Sequence, residues 1–202
     1  MRVVGAPAFA RARETQPEAI MGEKSRRRPI QWRVVGQGVA FAGFLAAAMA
    51  GGCAAQAEDT GYLRAGLGAF EVFRGSGRSF EGDLEFRPGW KLWVLQPTIG
   101  GVVTGDSALY GYVGVSADLF LSDNVLLRPS VAAGLYDRGN GFDLGNTLEF
   151  RTAIDLAWQF ENRLRLGIEF AHISNANLSE HNPGEESLLL TVSVPTSAIF
   201  GR

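Results

Sequence analysis

The sequence predicts an all-β fold: an eight-stranded antiparallel transmembrane β-barrel that follows a cleaved N-terminal signal peptide. Three observations carry this reading. From Thr60 onward the chain is a series of strand-length runs separated by turn residues, with no amphipathic helical pattern. The runs alternate with a period of two, and charged residues collect on one face. Ahead of them lie a basic stretch, an apolar stretch and a small-residue cleavage site.

The ends bound the domain. A chain of 202 residues suggests one domain plus a targeting segment. Lys24, Arg26, Arg27, Arg28 and Arg33 form a basic region, and Val39 to Ala50 is apolar and small. Ala55-Gln56-Ala57 supplies an A-x-A cleavage site. Residues 1–57 are therefore read as a signal peptide with an N-terminal extension, and residues 58–202 as the barrel. Translation from Met21, a twin-arginine signal at Ser25-Arg26-Arg27 and a transmembrane anchor are the alternatives for this region. The anchor reading suffers because the apolar run falls short of the ~20 solid residues that a spanning helix needs. Cys53 is the single cysteine, which excludes an intrachain disulfide. It is discarded with the signal, unless Ala50-Gly51-Gly52-Cys53, which lacks the usual Leu, serves as a lipobox. A net charge of −2 and the lack of a basic stripe in the body of the chain give no case for nucleic acid.

The strands follow in order. The first runs from Tyr62 to Phe73, with glycines at several inward positions, and Arg74 to Arg78 is a loop. Ser79 to Arg87 is the second, closed by Pro88-Gly89. Trp90 to Thr104 is the third, with a bend implied by Pro97 and Gly100-Gly101. Gly105-Asp106-Ser107 turns the chain into a fourth strand, Leu109 to Leu121. Ser122-Asp123-Asn124 leads to a fifth, Val125 to Tyr136. The stretch from Asp137 to Gly145 is the first long loop. Thr147 to Phe160 is the sixth, Glu161-Asn162 a turn, and Leu164 to Ser174 the seventh. A polar loop from Asn175 to Glu185 precedes the eighth, which opens at Glu186 and runs through Val194.

The alternation decides which way the barrel faces. In the sixth strand Leu148, Phe150, Ile154, Leu156, Trp158 and Phe160 share one face, and Glu149, Arg151, Asp155 and Gln159 share the other. A soluble lipid-binding barrel puts apolar side chains inside. Inward charges that can pair in a small filled barrel, with apolar residues outward, fit a membrane wall instead. Tyr62, Trp90, Trp93, Tyr110 and Trp158 lie near strand ends, where an interfacial girdle would put them, although core packing explains scattered aromatics equally well. With a periplasmic N-terminus, the short turns after strands two, four and six face the periplasm, and Asn175 to Glu185 faces the exterior.

The last hairpin carries the chemistry. Leu164, Leu166, Ile168 and Phe170 alternate with Arg165, Gly167, Glu169 and Ala171, and the register continues to His172 and Ser174 on the apolar face. Glu186 is in register with Leu188, Leu190, Val192 and Val194. Residues two apart on a strand lie about 6–7 Å apart and point the same way, so imidazole can reach hydroxyl. A histidine activates a serine when a carboxylate fixes its tautomer. The bland alternative is a set of polar residues at a strand end that touch lipid headgroups, and spacing alone does not choose between the two.

His172-Ile173-Ser174-Asn175-Ala176-Asn177, followed by Asn182-Pro183-Gly184-Glu185-Glu186 before an apolar last strand, resembles the PagL-type lipid A 3-O-deacylases. The resemblance implies an eight-stranded outer-membrane barrel with a triad of Ser174, His172 and Glu186 on its outer wall. It implies Asn182 in the oxyanion hole and Asn175 as support. It implies lipid A of lipopolysaccharide as substrate, a 3-O-linked hydroxyacyl chain as the group removed, and no metal or cofactor. The setting would be the outer membrane of a Gram-negative cell, among its lipids, with the site at the outer leaflet. A homodimer is left open. Two departures stand out: Ile173 replaces a common aromatic, and the chain ends Phe200-Gly201-Arg202 rather than on the aromatic itself. His181, in mid-loop, is read as a headgroup contact. The competing reading is a non-enzymatic small barrel of the adhesin or resistance type. Such a protein needs long outer loops, and the first two here are short.

Overall fold

A computed structural model describes residues 60–74 and 78–201. The signal-peptide, start-site and Cys53 readings fall outside them. The strands are β1 (Tyr62–Phe70), β2 (Ser79–Arg87), β3 (Gln96–Thr104), β4 (Leu109–Ser116), β5 (Val125–Asp137), β6 (Leu148–Gln159), β7 (Arg165–Ser174) and β8 (Glu185–Pro195). The two residues Leu119–Phe120 extend β4, because Ser116↔Ser130 and Leu119↔Leu127 keep a single register against β5. Each strand pairs antiparallel with the next, and β8 pairs with β1 from Tyr62↔Pro195 to Ala69↔Leu188. The eight strands thus close on themselves, so every strand edge is paired. A short helix, α1 (Thr196–Phe200), ends the described chain and leaves Phe200 exposed.

Parity sorts the side chains as the sequence predicts. On β6, Glu149, Arg151 and Asp155 are buried within the barrel, whereas Leu148, Leu156 and Trp158 are exposed on its outer wall. The interior is a charge lattice. Arg64 donates to Asp83 at 2.6 Å and to Glu169, Arg151 to Glu169 at 2.6 Å, and Arg128 to Asp155 at 2.9 Å. Nearer the short-turn end Arg165 bonds Asp118 at 2.8 Å. Buried ions are tolerated only when paired and hydrogen-bonded, and these arginines and carboxylates alternate around the lumen to meet that condition. At the opposite end a small apolar cluster of Phe70, Tyr110, Tyr112, Tyr136, Leu144 and Ile173 fills the barrel below the loops.

Several expectations need correction. Tyr62 and Tyr110 face inward, not toward the interface. The Tyr62 ring is covered by the guanidinium groups of Arg165 and Arg87 at 4.0 and 5.0 Å, and the Tyr110 hydroxyl donates to the Glu149 carbonyl at 3.0 Å. Trp90, Trp93 and Trp158 do lie exposed. The first strand stops at Phe70 because Glu71 takes a φ of 58°, which breaks the pleat. The third begins at Gln96 because Trp93 takes a φ of 60° and Leu92 and Leu95 close a tight turn. The connection after β2 therefore spans 88–95 and is longer than Pro88-Gly89 suggested. The turns 121–124 and 160–164 are short, and the connections 138–147 and 175–184 at the other end are long.

Candidate active site

β7 and β8 bring the predicted residues to the long-loop end. Inward Arg165, Glu169, Ala171 and Ile173 alternate with outward Leu166, Ile168, Phe170, His172 and Ser174. On β8, Glu185 and Ser187 are buried, while Glu186 lies on the outer wall with Leu188 and Leu190. The strand register sets His172 opposite Glu186 and Ile173 opposite Glu185. Directly opposed residues in an antiparallel pair share a face with close Cβ atoms. Accordingly His172 Nδ1 lies 3.3 Å from Glu186 Oε1. A carboxylate at Nδ1 selects the tautomer protonated there, which leaves the Nε2 lone pair free. Ser174 is the next residue on that wall toward the loop.

Gly184 packs against the Cε1–Nε2 edge of the imidazole. Its φ is +64°, and a Cβ there would stand 2.8 Å from His172 Cε1 and 3.5 Å from Nε2. Only glycine suits both the backbone conformation and the close approach. Glu185 turns away from this group: its carboxylate meets Ser187 Oγ at 3.0 Å inside the barrel, and Ser187 also donates to Glu81.

The two asparagines have different surroundings. Asn175 is fully buried, and its amide donates to the carbonyls of Leu144 and His181 and to Ser179 Oγ at 2.9–3.0 Å. It ties the end of β7 to two loops. Asn182 is half-buried and accepts from the Asn175 backbone N–H at 3.0 Å. Its amide nitrogen donates to Asn177 Oδ1 at 3.1 Å, and one amide hydrogen remains for another acceptor. His181 enters this network through its backbone carbonyl, while the residue as a whole is exposed. Ile173 is buried in the apolar cluster, so the departure from an aromatic falls inside the barrel and not on the wall.

Two residues to which the sequence assigns no role border the site: Glu71, expected in the first strand, and Arg74, expected in the loop after it. Arg74 donates to the Gly184 and Pro183 carbonyls and to Glu71 Oε1. Burial pushes the Glu71 carboxyl up to about 7, against the lowering effect of Arg74. No local pattern marks Arg74 as part of the site, because the Pro183 and Gly184 carbonyls that it binds lie more than a hundred positions away.

A family model described as lipid A 3-O-deacylase (PagL) matches residues 75–195. The chain belongs to that family. It is thus an outer-membrane lipid A 3-O-deacylase, and its substrate class is the lipid A of lipopolysaccharide. Among solved structures, the outer membrane enzyme PagL aligns with a TM-score of 0.53 and 22% identity over 66% of this chain and 99% of that one. A de novo designed transmembrane β-barrel aligns with a TM-score of 0.47 and 14% identity over 68% of this chain and 95% of that one. The Yersinia pestis outer membrane protein Ail aligns with a TM-score of 0.42 and 11% identity over 67% and 99%. No curated protein matches. The PagL alignment agrees with the eight-stranded barrel of an outer-membrane enzyme.

Proposed function

We propose that this barrel is a serine ester hydrolase in which Ser174, His172 and Glu186 form the catalytic triad and Asn182 serves the oxyanion. The observation that carries the reading is the His172–Glu186 contact of 3.3 Å on the same outer wall as Ser174. Glu186 holds Nδ1–H, and Nε2 takes the proton from Ser174 Oγ as that oxygen attacks the ester carbonyl of the 3-O-linked chain. The free amide hydrogen of Asn182 stabilises the tetrahedral oxyanion, and Asn175 holds Asn182 in place through its backbone N–H. Collapse breaks the bond between the carbonyl carbon and the sugar 3-oxygen, and His172 returns its proton to that oxygen. Water then attacks the acyl-Ser174 ester with His172 as base, which releases the 3-hydroxy fatty acid and restores the serine.

The two longest connections, 138–147 and 175–184, lie at one end and the short turns 121–124 and 160–164 at the other, and the end with the longer loops is usually the extracellular one in such barrels. The triad residues lie at the long-loop end, which supports a site in the outer leaflet, where lipopolysaccharide resides. All three come from one chain, so the chemistry needs no second copy, whether or not the barrel forms a homodimer. Mass spectrometry of lipid A from Gram-negative cells that express the protein tests the reading. The expected product has lost a single 3-hydroxyacyl unit. Unchanged lipid A beside a folded barrel in the outer membrane would favour the adhesin or resistance alternative.

A further inference from the structure

The segment that follows β1 is built into the wall beside the triad. Glu71 interrupts the strand, yet pairing resumes one residue later, where the Val72 N–H donates to the Glu186 carbonyl at 3.0 Å. Phe73 then packs outward on Phe170, with ring centroids 6.0 Å apart, two residues before His172 on β7. Arg74 turns back over the loop between β7 and β8. Its Nη1 donates to the Gly184 carbonyl at 2.8 Å and to Glu71 Oε1 at 3.1 Å, and its Nη2 donates to the Pro183 carbonyl. The guanidinium carbon stands 5.0 Å over the Phe142 ring of the preceding long loop. One side chain thereby joins three outer loops, and two of its bonds end on the turn that presses Gly184 against the imidazole.

We infer that Arg74 is a positioning residue: by fixing the Pro183–Gly184 turn it keeps the His172 ring in the plane that links Glu186 to Ser174. The inference rests on the triad reading. Its physical basis is the fork shape of the guanidinium, which spans two adjacent carbonyls and a carboxylate at once; an ammonium is a single point charge. Released from Arg74, the loop keeps its strand pairing at Glu185 and Glu186 and the Asn182–Asn175 bond, but the Pro183 and Gly184 carbonyls lose their guanidinium donor and the Gly184 face against the ring is free to shift. A displacement of about 1 Å in a catalytic group can cost on the order of 10²-fold in rate.

The test uses the full-length protein in detergent as wild type, Arg74→Ala, Arg74→Lys and Ser174→Ala. Folding is read by heat-modifiable gel migration. Two substrates are compared: lipopolysaccharide, and the p-nitrophenyl ester of a 3-hydroxy fatty acid, which has neither sugar nor phosphate. A positioning role predicts that Arg74→Ala lowers kcat by roughly 10- to 100-fold on both substrates with little change in KM, and that Arg74→Lys recovers part of the loss. Full kcat on both substrates in folded Arg74→Ala overturns the inference. So does a rise in KM confined to lipopolysaccharide, which would make Arg74 a headgroup contact. Where Arg74→Ala does not fold, Arg74→Lys decides: reduced kcat on the neutral ester supports the inference, and wild-type kcat overturns it. An active Ser174→Ala protein would instead bring down the triad itself, so the two failures are distinguishable.

Discussion

His172, Ser174 and Glu186 lie on the outer wall of the barrel, so truncating them opens no cavity in the charge lattice. Ser174→Ala and His172→Ala are therefore expected to abolish deacylation while the protein still migrates as a folded barrel; full activity in either rejects the triad. The adjacent glutamates separate more sharply. Glu186 contacts the imidazole at 3.3 Å, whereas Glu185 is buried beside Ser187 on the other face. Loss of the triad carboxylate in a serine protease costs about 10⁴-fold in rate; here a smaller loss is expected for Glu186→Gln, because Gly184 also holds the ring. Glu185→Gln should leave turnover near normal. The reverse result in matched detergent assays would place the wrong carboxylate at the histidine. Glu71 offers a test by pH. Burial lifts its carboxyl to about 7, well above the ordinary carboxylate value, and Glu186 adds to the rise while Arg74 opposes it. A raised acid favours the folded state while protonated and loses that advantage as pH rises through about 7. Glu71→Gln should accordingly raise the unfolding temperature relative to wild type at pH about 8.5 and have little effect at pH about 5.

At the scale of elements, strand parity made the site legible. Counting by twos from Leu164 reaches His172 and Ser174, and counting back from Leu190 reaches Glu186, and the observed register joins the two strands at His172↔Glu186. Parity also assigns Tyr62 to the face of Arg64, but its place near a strand end suggested the interface. Position along a strand sets depth in the membrane, not direction, and an aromatic ring between two guanidinium groups is at home among buried arginines. Arg74 could not be read at all, because its bonds to Pro183 and Gly184 depend on closure of β1 against β8. That seam has its own requirement. A Cβ at Gly68 would stand 2.0 Å from the Leu188 carbonyl oxygen, a backbone atom. Gly68→Val should push β1 from β8 and lower the folded fraction on refolding into detergent, whereas a valine at outward Ala65 should be tolerated.

For the whole molecule, stability depends on the lumen as much as on the lipid-facing wall. Arg64 is fully buried and joins Asp83, from the neighbouring strand β2, to Glu169, from β7 two strands away on the other side. Arg64→Met should destabilise the barrel by about 3–5 kcal/mol, the usual cost of leaving a buried charge without its partner. A denaturant titration in detergent measures it, and a loss below about 1 kcal/mol would mean that the neighbouring arginines re-form the lattice. An arginine in place of Leu156, on the opposite face of the same wall, should cost about 2–4 kcal/mol for a different reason, the transfer of charge into hydrocarbon.

If His172, Ser174 and Glu186 form the proposed triad, their outward placement also determines the space in which substrate is encountered. A site that opens sideways meets molecules that diffuse in two dimensions, and the relevant concentration is a mole fraction of the surrounding film. Extra detergent, at fixed amounts of enzyme and lipopolysaccharide, should then slow turnover by spreading the same substrate through more amphiphile. Added water should leave the rate nearly unchanged, because the reaction does not take place in that volume.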